Sequence, residues 1–347
     1  MNDHYITSYH ENHDLSKYSI LVTGGAGFIG SNLVEYLLKF GAAKVRVLDN
    51  FSTGFIHNIE PFLNRDNFEL IEGDIRDRKA CDEAVNGIDF VLHEAALGSV
   101  PRSIADPFTT NDVNVTGFLN LLLASRDAKV KRVIYAASSS TYGDSVELPK
   151  VEEKIGKPLS PYAVTKYINE LYAGVFATLF DMELIGLRYF NVFGQRQAPD
   201  GQYAAVIPKF IQSLINHKSP IINGDGNISR DFTYIDNVVQ MNIKSLFTQN
   251  PAAVNQVFNV AYGERITINQ LVGYLKKFLS KIDPLIANTE IIYGPKRTGD
   301  IEHSLASIQK GKDLLNYNPL FSVERGLENA VGWYVNQASK CGIAYNS

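Results

Sequence analysis

The stretch SPYAVTK places Tyr162 four residues before Lys166. On a helix that spacing stacks phenol and ammonium on one face, and Pro161 sits naturally in the first turn of such a helix. A free tyrosine ionises near pH ~10 and is a poor base at neutral pH, but a neighbouring cation favours its phenolate. The pair therefore has the makings of an acid–base couple. A run of hydroxyls, Ser138, Ser139, Ser140 and Thr141, precedes it in the chain. A serine there could hold a substrate hydroxyl against the tyrosine, although serine clusters also simply form turns. Standing alone, Tyr-x-x-x-Lys is equally a chance pair on a solvated helix.

A second motif, LVTGGAGFIGS, brings Gly24, Gly27 and Gly30 between an apolar run and an amphipathic one, with Phe28 and Ile29 inside it. Without a Cβ the backbone turns sharply, and a pyrophosphate can approach amides at the positive end of a helix. The spacing is GxxGxxG instead of GxGxxG, so context must support it. The next apolar run ends in Asp49, where a carboxylate can accept both hydroxyls of an adenine ribose and would repel a 2′-phosphate. That favours NAD. Asp74, in the GDI that follows the third run, is placed either to reach the adenine amine or to cap a strand end.

These residues need a frame. Apolar runs at 17–24, 44–49, 68–74, 89–95, 131–138 and 182–189 read as buried strands. Between them, 28–40 and 109–128 have helical spacing. Strands alternating with helices imply right-handed crossovers and a parallel sheet covered on both sides. The expected fold is α/β: a doubly wound parallel sheet of the Rossmann type, with a smaller α/β C-terminal substrate lobe. The serine run then lies at the carboxyl edge of the sheet, where ligands of such folds bind. After about residue 190 the chain becomes loop-rich, and 255–263 reads as one more isolated strand. The expected division is an N-terminal arm over 1–17 excluded from the fold, a dinucleotide-binding domain over 18–190 plus about 230–262, and a substrate lobe over 191–229 plus 263–347.

Bulk properties remove other classes. In 347 residues, 45% hydrophobic, there is enough apolar material for one large domain or two intimate ones. The 33 basic and 37 acidic side chains leave a net charge of −4, which lacks the attraction expected of a nucleic-acid binder. Cys81 and Cys341 are far apart, without CxxC, so neither a disulfide framework nor a cysteine zinc site is expected. The histidines are scattered, and no metal site is expected. No apolar run is long enough for a bilayer span, and the polar start has no signal-peptide core. The expectation is a soluble, cytoplasmic protein.

The combination TGGAGFIG, Asp49, the serine run and Tyr162-x-x-x-Lys166 resembles the extended short-chain dehydrogenase/reductase family, and within it the nucleotide-sugar 4-epimerases. The likeness runs from residue 18 to about 335, through DNFSTG, EGDIRD, HEAALGSVPRSIADP, ASSSTYGD, SPYAVTK, LRYFNVFGQRQ, YAAVIPKF, SRDFTYIDNV and RTGD. It is greatest toward bacterial UDP-N-acetylglucosamine/UDP-N-acetylgalactosamine 4-epimerases. The resemblance implies that Tyr162, as phenolate, takes the proton of the sugar 4-hydroxyl while NAD takes hydride from C4. Return of the hydride to the other face of the 4-keto sugar inverts the centre. Lys166 would lower the tyrosine pKa and hold the nicotinamide ribose. Counting back from Tyr142 makes Ser138 the bridging hydroxyl, with Ser139 a competitor because the loop is one residue tighter; both are retained.

By the same resemblance the cofactor contacts are Gly24, Gly27, Phe28, Ile29, Gly30, Asp49, Asn50, Ser52, Thr53, Gly54, Asp74, Ile75, Ala95, Ala96, Asn114, Tyr162, Lys166, Tyr189 and Val192. Substrate contacts are Gly98, Ser99, Arg102, Ser138, Ser139, Ser140, Tyr162, Asn191, Val206, Ile207, Asn223, Arg230, Tyr234, Arg297, Asp300 and Ser304. Asn191, Arg230 and Arg297 would hold the diphosphate, Asp300 the uridine ribose, and Asn223 the uracil. Tyr234 is either pocket wall or core, and so is Phe190. Ser304, after RTGD, is small where epimerases restricted to plain hexoses are bulky, which favours N-acetylated sugars. Arg102 could instead read a sugar carboxylate. Absence of a second acid or base in the serine loop disfavours elimination at C5. The expected activity is NAD-dependent interconversion of UDP-N-acetylglucosamine and UDP-N-acetylgalactosamine, extending to UDP-glucose and UDP-galactose, in a homodimer. The alternatives are a UDP-glucuronate or UDP-N-acetyl-uronate 4-epimerase and, from another class, an NAD-binding sensor without catalysis.

Overall fold

The computed structural model describes residues 5–198, 205–296 and 302–340. Six strands, β1 (Ser19–Thr23), β2 (Lys44–Asp49), β3 (Phe68–Glu72), β4 (Phe90–His93), β5 (Arg132–Ser138) and β6 (Leu184–Tyr189), form one parallel sheet with a seventh, Val257–Val260. The order is β3-β2-β1-β4-β5-β6 and then the seventh strand at the edge, so the chain winds outward in both directions from the β1–β4 boundary. This is the expected Rossmann-type sheet. The run at 255–263, expected to stand isolated, is instead paired to β6 over Gly186–Tyr189.

Between the strands run α1 (Phe28–Lys39), α2 (Arg78–Val85), α3 (Val100–Ala105), α4 (Pro107–Asn111), α5 (Gly117–Asp127) and α6 (Pro161–Phe180). Period-two alternation sends Ile20, Val22 and Ile134 to one face of the sheet and Leu21, Val133 and Tyr135 to the other. The first face packs on Leu33, Val34 and Leu37 of α1. The second packs on Cys81 of α2, Phe118 and Leu121 of α5, and Phe176 of α6. The helical run expected over 109–128 is broken by a π-turn, Asp112–Thr116, between α4 and α5. That extra residue turns Asn114 inward, with a consequence described below.

The C-terminal part adds α7 (Val206–Ile215), α8 (Ile235–Phe247), α9 (Ile268–Leu279), α10 (Gln309–Leu315) and α11 (Val323–Lys340). Its strands are short pairs: Ile221–Asn223 with Ile292–Gly294, and Ser229–Arg230 with Ile266–Thr267. Its buried side chains belong to the same continuous cluster as the α1 face of the sheet, so the lobe has no separate core.

The N-terminal arm packs onto the fold, contrary to its expected exclusion. Tyr5 and Tyr9 are buried, at 1% and 5% exposure. Tyr9 stacks on Tyr36 with ring centroids 5.5 Å apart, and the Tyr36 hydroxyl accepts from its amide at 2.6 Å. The Tyr5 hydroxyl donates to Asn32 Oδ1 at 3.2 Å. Tyrosine buries an aromatic face while its hydroxyl keeps a polar partner, which is how so polar a segment still contributes to the core.

Candidate functional site

Gly24 to Gly30 connect β1 to α1. Gly24 has φ +68°, and a Cβ there would lie 2.7 Å from the Ala95 amide nitrogen. A Cβ on Gly30 would lie 2.2 Å from the Gly24 carbonyl oxygen. These two glycines are therefore required by the chain's own packing, which draws the loop against the end of β4. Gly27 is the residue before α1, so the first amides of that helix open beside it, a ready place for a pyrophosphate. Asp49 braces the loop: its carboxylate accepts from Ala26 N at 2.9 Å and Phe51 N at 2.8 Å. Burial raises its pKa, and those two amides pull it back.

A cleft of about 550 Å³ lies over this loop at the carboxyl ends of the strands. Gly24, Gly27, Phe28, Ile29 and Gly30 line it, with Asp49, Asn50, Ser52, Thr53 and Gly54 beyond β2, and Asp74 and Ile75 beyond β3. Ala95, Ala96, Gly98, Ser99 and Arg102 form the wall beyond β4. Asp74 is held by Arg76 and by Asn50 Nδ2 at 2.8 Å, and the Arg76 hydrogen bonds bring its pKa down to about 2. The cleft fits a dinucleotide: backbone amides at a helix end for a pyrophosphate, and a carboxylate at the end of the second strand for a ribose.

Asn114, expected at the cofactor, lies behind the wall. Its side chain is spent on Leu97, accepting from the amide at 2.8 Å and donating to the carbonyl at 3.3 Å, and on Thr165 Oγ1 at 3.1 Å. It clamps the cleft wall to α6, and the π-turn supplies the inward bend.

Helix α6 starts where Ser160 Oγ accepts from Ala163 N at 3.2 Å, with Pro161 in the first turn. Tyr162 and Lys166 share a face, as the spacing implies. Lys166 is 3% exposed and donates to the Ala136 carbonyl at 2.8 Å. Burial lowers its pKa to about 8, and the charge of Glu94 works in the opposite direction. The Tyr162 phenol is hydrogen-bonded to Ser138, and its pKa is raised: burial dominates, the Glu94 charge adds to it, and Ser138 alone lowers it. The expected lowering by Lys166 is not what the protein alone produces: desolvation of the phenol dominates, and the one lowering influence is Ser138. Ser138 itself accepts from Ser140 N at 3.1 Å and Ser140 Oγ at 2.9 Å. Of the two serines left open by the sequence, Ser138 is the one that meets the tyrosine; Ser139 begins the turn that follows.

A buried network fixes this arrangement. Arg188 of β6 grips Glu170 of α6 through two bonds, Nε to Oε1 at 2.9 Å and Nη2 to Oε2 at 2.7 Å. It also donates to the Glu152 carbonyl at 2.9 Å, and its guanidinium lies 4.9 Å from the Tyr142 ring centroid. The Tyr142 hydroxyl donates to Asn259 Oδ1 at 2.6 Å. The serine turn, α6 and the seventh strand are thereby tied together.

The remaining expected residues lie at varying distance from this centre. The Tyr189 hydroxyl donates to Glu94 at 2.7 Å. Val192 pairs with Thr233 in a short strand. Asn191, at φ +37°, donates to the Asp231 carbonyl at 2.9 Å. Tyr234, left open between pocket wall and core but counted among the substrate contacts, is core, 1% exposed against Phe193 and Phe321; Phe190 is core too. Val206 opens α7, and Ile207 is buried beneath it. Asn223 ends the strand Ile221–Asn223. Arg230 donates to the Ser229 and Glu302 carbonyls, and Ser304 N donates to Ser229 O, so those two residues are neighbours. Arg297 and Asp300 lie outside the described residues.

Several cleft-lining residues escaped the sequence reading, Leu48, Phe55, Gly73, Leu97 and Val113 among them. Gln197, Ala198 and Ala205 also line the cleft, and nothing in their types signals it. Glu94 lines it as well, and a carboxylate closing an apolar strand was a signal available in HEAALGS.

Comparison with known proteins adds the following. A family model described as "NAD dependent epimerase/dehydratase family" matches residues 20–261. A "Putative UDP-glucose 4-epimerase" of Methanocaldococcus jannaschii is 35% identical, over 91% of this chain and 98% of that protein. Among solved structures, the UDP-N-acetylglucosamine 4-epimerase of Methanobrevibacter ruminantium M1, in complex with UDP-N-acetylmuramic acid, superposes with TM-score 0.85 at 38% identity, covering 92% of this chain and 99% of that one. The UDP-glucuronic acid 4-epimerase of Bacillus cereus, in complex with UDP-glucuronic acid and NAD, gives TM-score 0.82 at 31% identity with the same coverage.

The glycine packing yields an expected outcome. Gly30→Ala forces a 2.2 Å contact with Gly24 O and should weaken NAD binding by about tenfold or more, on the order of 1.4 kcal/mol. Gly273→Ala, whose Cβ meets nothing within 4 Å, should leave it unchanged. Titration of the stripped protein with NAD by calorimetry measures both.

Proposed function

The chain belongs to the NAD dependent epimerase/dehydratase family, and from that premise we propose that it interconverts UDP-N-acetylglucosamine and UDP-N-acetylgalactosamine by inverting C4 through a 4-keto sugar. That it is an NAD-dependent UDP-sugar 4-epimerase follows from its relatives; the N-acetylated sugar is our reading. The observation that carries the chemistry is the Ser138–Tyr162 contact beside the buried ammonium of Lys166.

In this reading the Tyr162 phenolic oxygen takes the proton from the sugar 4-hydroxyl and later returns it. Ser138, its own oxygen already engaged with Ser140, keeps its hydrogen for the oxygen that changes charge. Lys166 keeps a positive charge against the phenol. NAD would supply the hydride acceptor and donor at C4 and, oxidised, a second positive charge. The amides at the start of α1 and the Asp49 carboxylate would hold it, with Tyr189, Val192 and the wall at Ala95 and Ala96 as its further contacts. Asn191, Arg230, Arg297 and Asp300 would hold the nucleotide. The serine turn itself, Ser139–Tyr142, carries no carboxylate, which disfavours elimination at C5.

The N-acetyl preference is supported by Ser304, a short side chain beside Arg230, and by the 38% identical neighbour described as a UDP-N-acetylglucosamine 4-epimerase. One observation favours a second reading: Arg102 lines the cleft and is suited to a uronic carboxylate, as the substrate of the Bacillus cereus neighbour carries. A second copy of the chain is the proposed partner. On α6, Val164, Leu171, Val175 and Leu179 stay 44–68% exposed along one side, with Phe108 of α4 at 84%. An apolar stripe of that kind marks an interface.

Purified protein incubated without added cofactor should interconvert UDP-N-acetylglucosamine, seen at the sugar C4 proton by NMR. Tyr162→Phe should lose about a hundredfold to ten-thousandfold in kcat. Turnover of UDP-glucuronate alone would replace the preferred reading with the second, and parental turnover by Tyr162→Phe would reject the chemistry. Leu171→Glu with Val175→Glu should convert a dimer to a monomer in sedimentation; an unchanged mass would remove α6 from the interface.

A further inference from the structure

Glu94 follows β4 at the wall of the cleft. Its Oε1 accepts from the Tyr189 hydroxyl of β6 at 2.7 Å, and that hydroxyl accepts from Asn242 Nδ2 of α8 at 2.9 Å. Glu94 follows the His93–Tyr135 pairing of β4 with β5, next to Ala136, whose carbonyl accepts from Lys166 Nζ at 2.8 Å, and its partner Tyr189 is paired with Ser138, the serine that meets Tyr162. Its neighbour His93 is bonded to Thr23 Oγ1 at 2.7 Å, and burial holds that imidazole's pKa down at about 3, so it stays neutral. The reaction scheme above gives Glu94 no task, yet a carboxylate has been placed where two reacting groups are desolvated together.

We propose that Glu94 is a positioning residue for the acid–base pair: its carboxylate, oriented by Tyr189 and Asn242, holds Lys166 in the charged form and sets the pH window in which Tyr162 and Lys166 act together. The proposal rests on the reading of Tyr162 and Lys166 as that pair. Desolvation alone drives a buried lysine toward the neutral amine. Burial brings Lys166 down to about 8, and Glu94 opposes the fall. The same negative charge raises the Tyr162 pKa. Glu94 is raised to about 7 by its own burial, against the pull of Tyr189 and Lys166, so it carries its charge most fully on the alkaline side, where Lys166 needs support. The sign follows: removing the carboxylate lowers the pKa of both Lys166 and Tyr162. Loss of the ammonium then begins at lower pH, and so does formation of the phenolate. Both limbs of a bell-shaped profile move in the acid direction.

Glu94→Gln separates this role from plain scaffolding, because the amide oxygen still accepts from Tyr189 while the charge is gone. Its kcat–pH profile should move to lower pH at both limbs, the alkaline one by on the order of one unit, so that the ratio of activity at about pH 9 to that at about pH 7 falls roughly tenfold. A readout independent of turnover is tyrosinate absorbance against pH, taken as the difference between each protein and its Tyr162→Phe counterpart. That transition should also move to lower pH in the Gln background. If both the limbs and the tyrosinate transition stay in place in a folded Glu94→Gln protein, the proposal is overturned; if the Gln variant does not fold, Glu94→Met carries the same test. Parental turnover by Tyr162→Phe would instead sink the acid–base reading, and the tyrosinate transition alone would then decide whether Glu94 acts on the phenol.

Discussion

An ammonium buried at the carboxyl edge of a parallel sheet is the constraint around which this molecule is organised. Lys166 reaches the Ala136 carbonyl on β5, and a desolvated cation is costly unless its surroundings compensate it. The compensation is distributed: one carbonyl at hydrogen-bond distance and one carboxylate, Glu94, acting through space. The lysine must stay charged at neutral pH while burial pulls it toward the neutral amine, and both demands restrict where α6 can sit.

The rest of the structure meets that restriction. Arg188 and Glu170 fasten α6 to β6 through a buried bidentate pair. Tyr142 and Asn259 fasten the serine turn to the seventh strand, and Asn114 fastens the cleft wall to α6. Removing one partner from such a pair costs more than the pair contributes, because the other is left buried and unsatisfied. Gly24 and Gly30 work by close approach instead of bonding, pulling the loop after β1 against the end of β4. Thus the dinucleotide cleft and the tyrosine–lysine face meet at β4 and β5.

What the sequence made legible was what local periodicity encodes. The strands at 44–49 and 131–138 came from short apolar runs and the helix at 28–40 from helical spacing, within a residue or two of β2, β5 and α1. The loop glycines, Asp49 and the Tyr162–Lys166 face were legible because their chemistry imposes a fixed spacing. Tertiary placement was not. The strand at Val257–Val260 carries no mark of its pairing with β6, which is set by contacts seventy residues apart. The described part of the arm, from residue 5, was misjudged because two of its three buried side chains, Tyr5 and Tyr9 beside Leu15, are tyrosines, whose polar ends hide their apolar faces from a composition-based reading. Tyr234 could be left only between pocket wall and core for the same reason. The clamp that Asn114 forms between Leu97 and Thr165 was not legible either, because it sits in a π-turn unannounced by residue type. The raised pKa of Tyr162 depends on burial, a property of the assembled fold.

The route through a 4-keto sugar is tested most directly by isotope. UDP-N-acetylglucosamine carrying deuterium at C4, turned over in ordinary water, should give product that keeps the deuterium at C4 on the opposite face. Product with solvent hydrogen at C4 would contradict the account, because inversion would then proceed by proton exchange at carbon, with no hydride held and returned within the cleft.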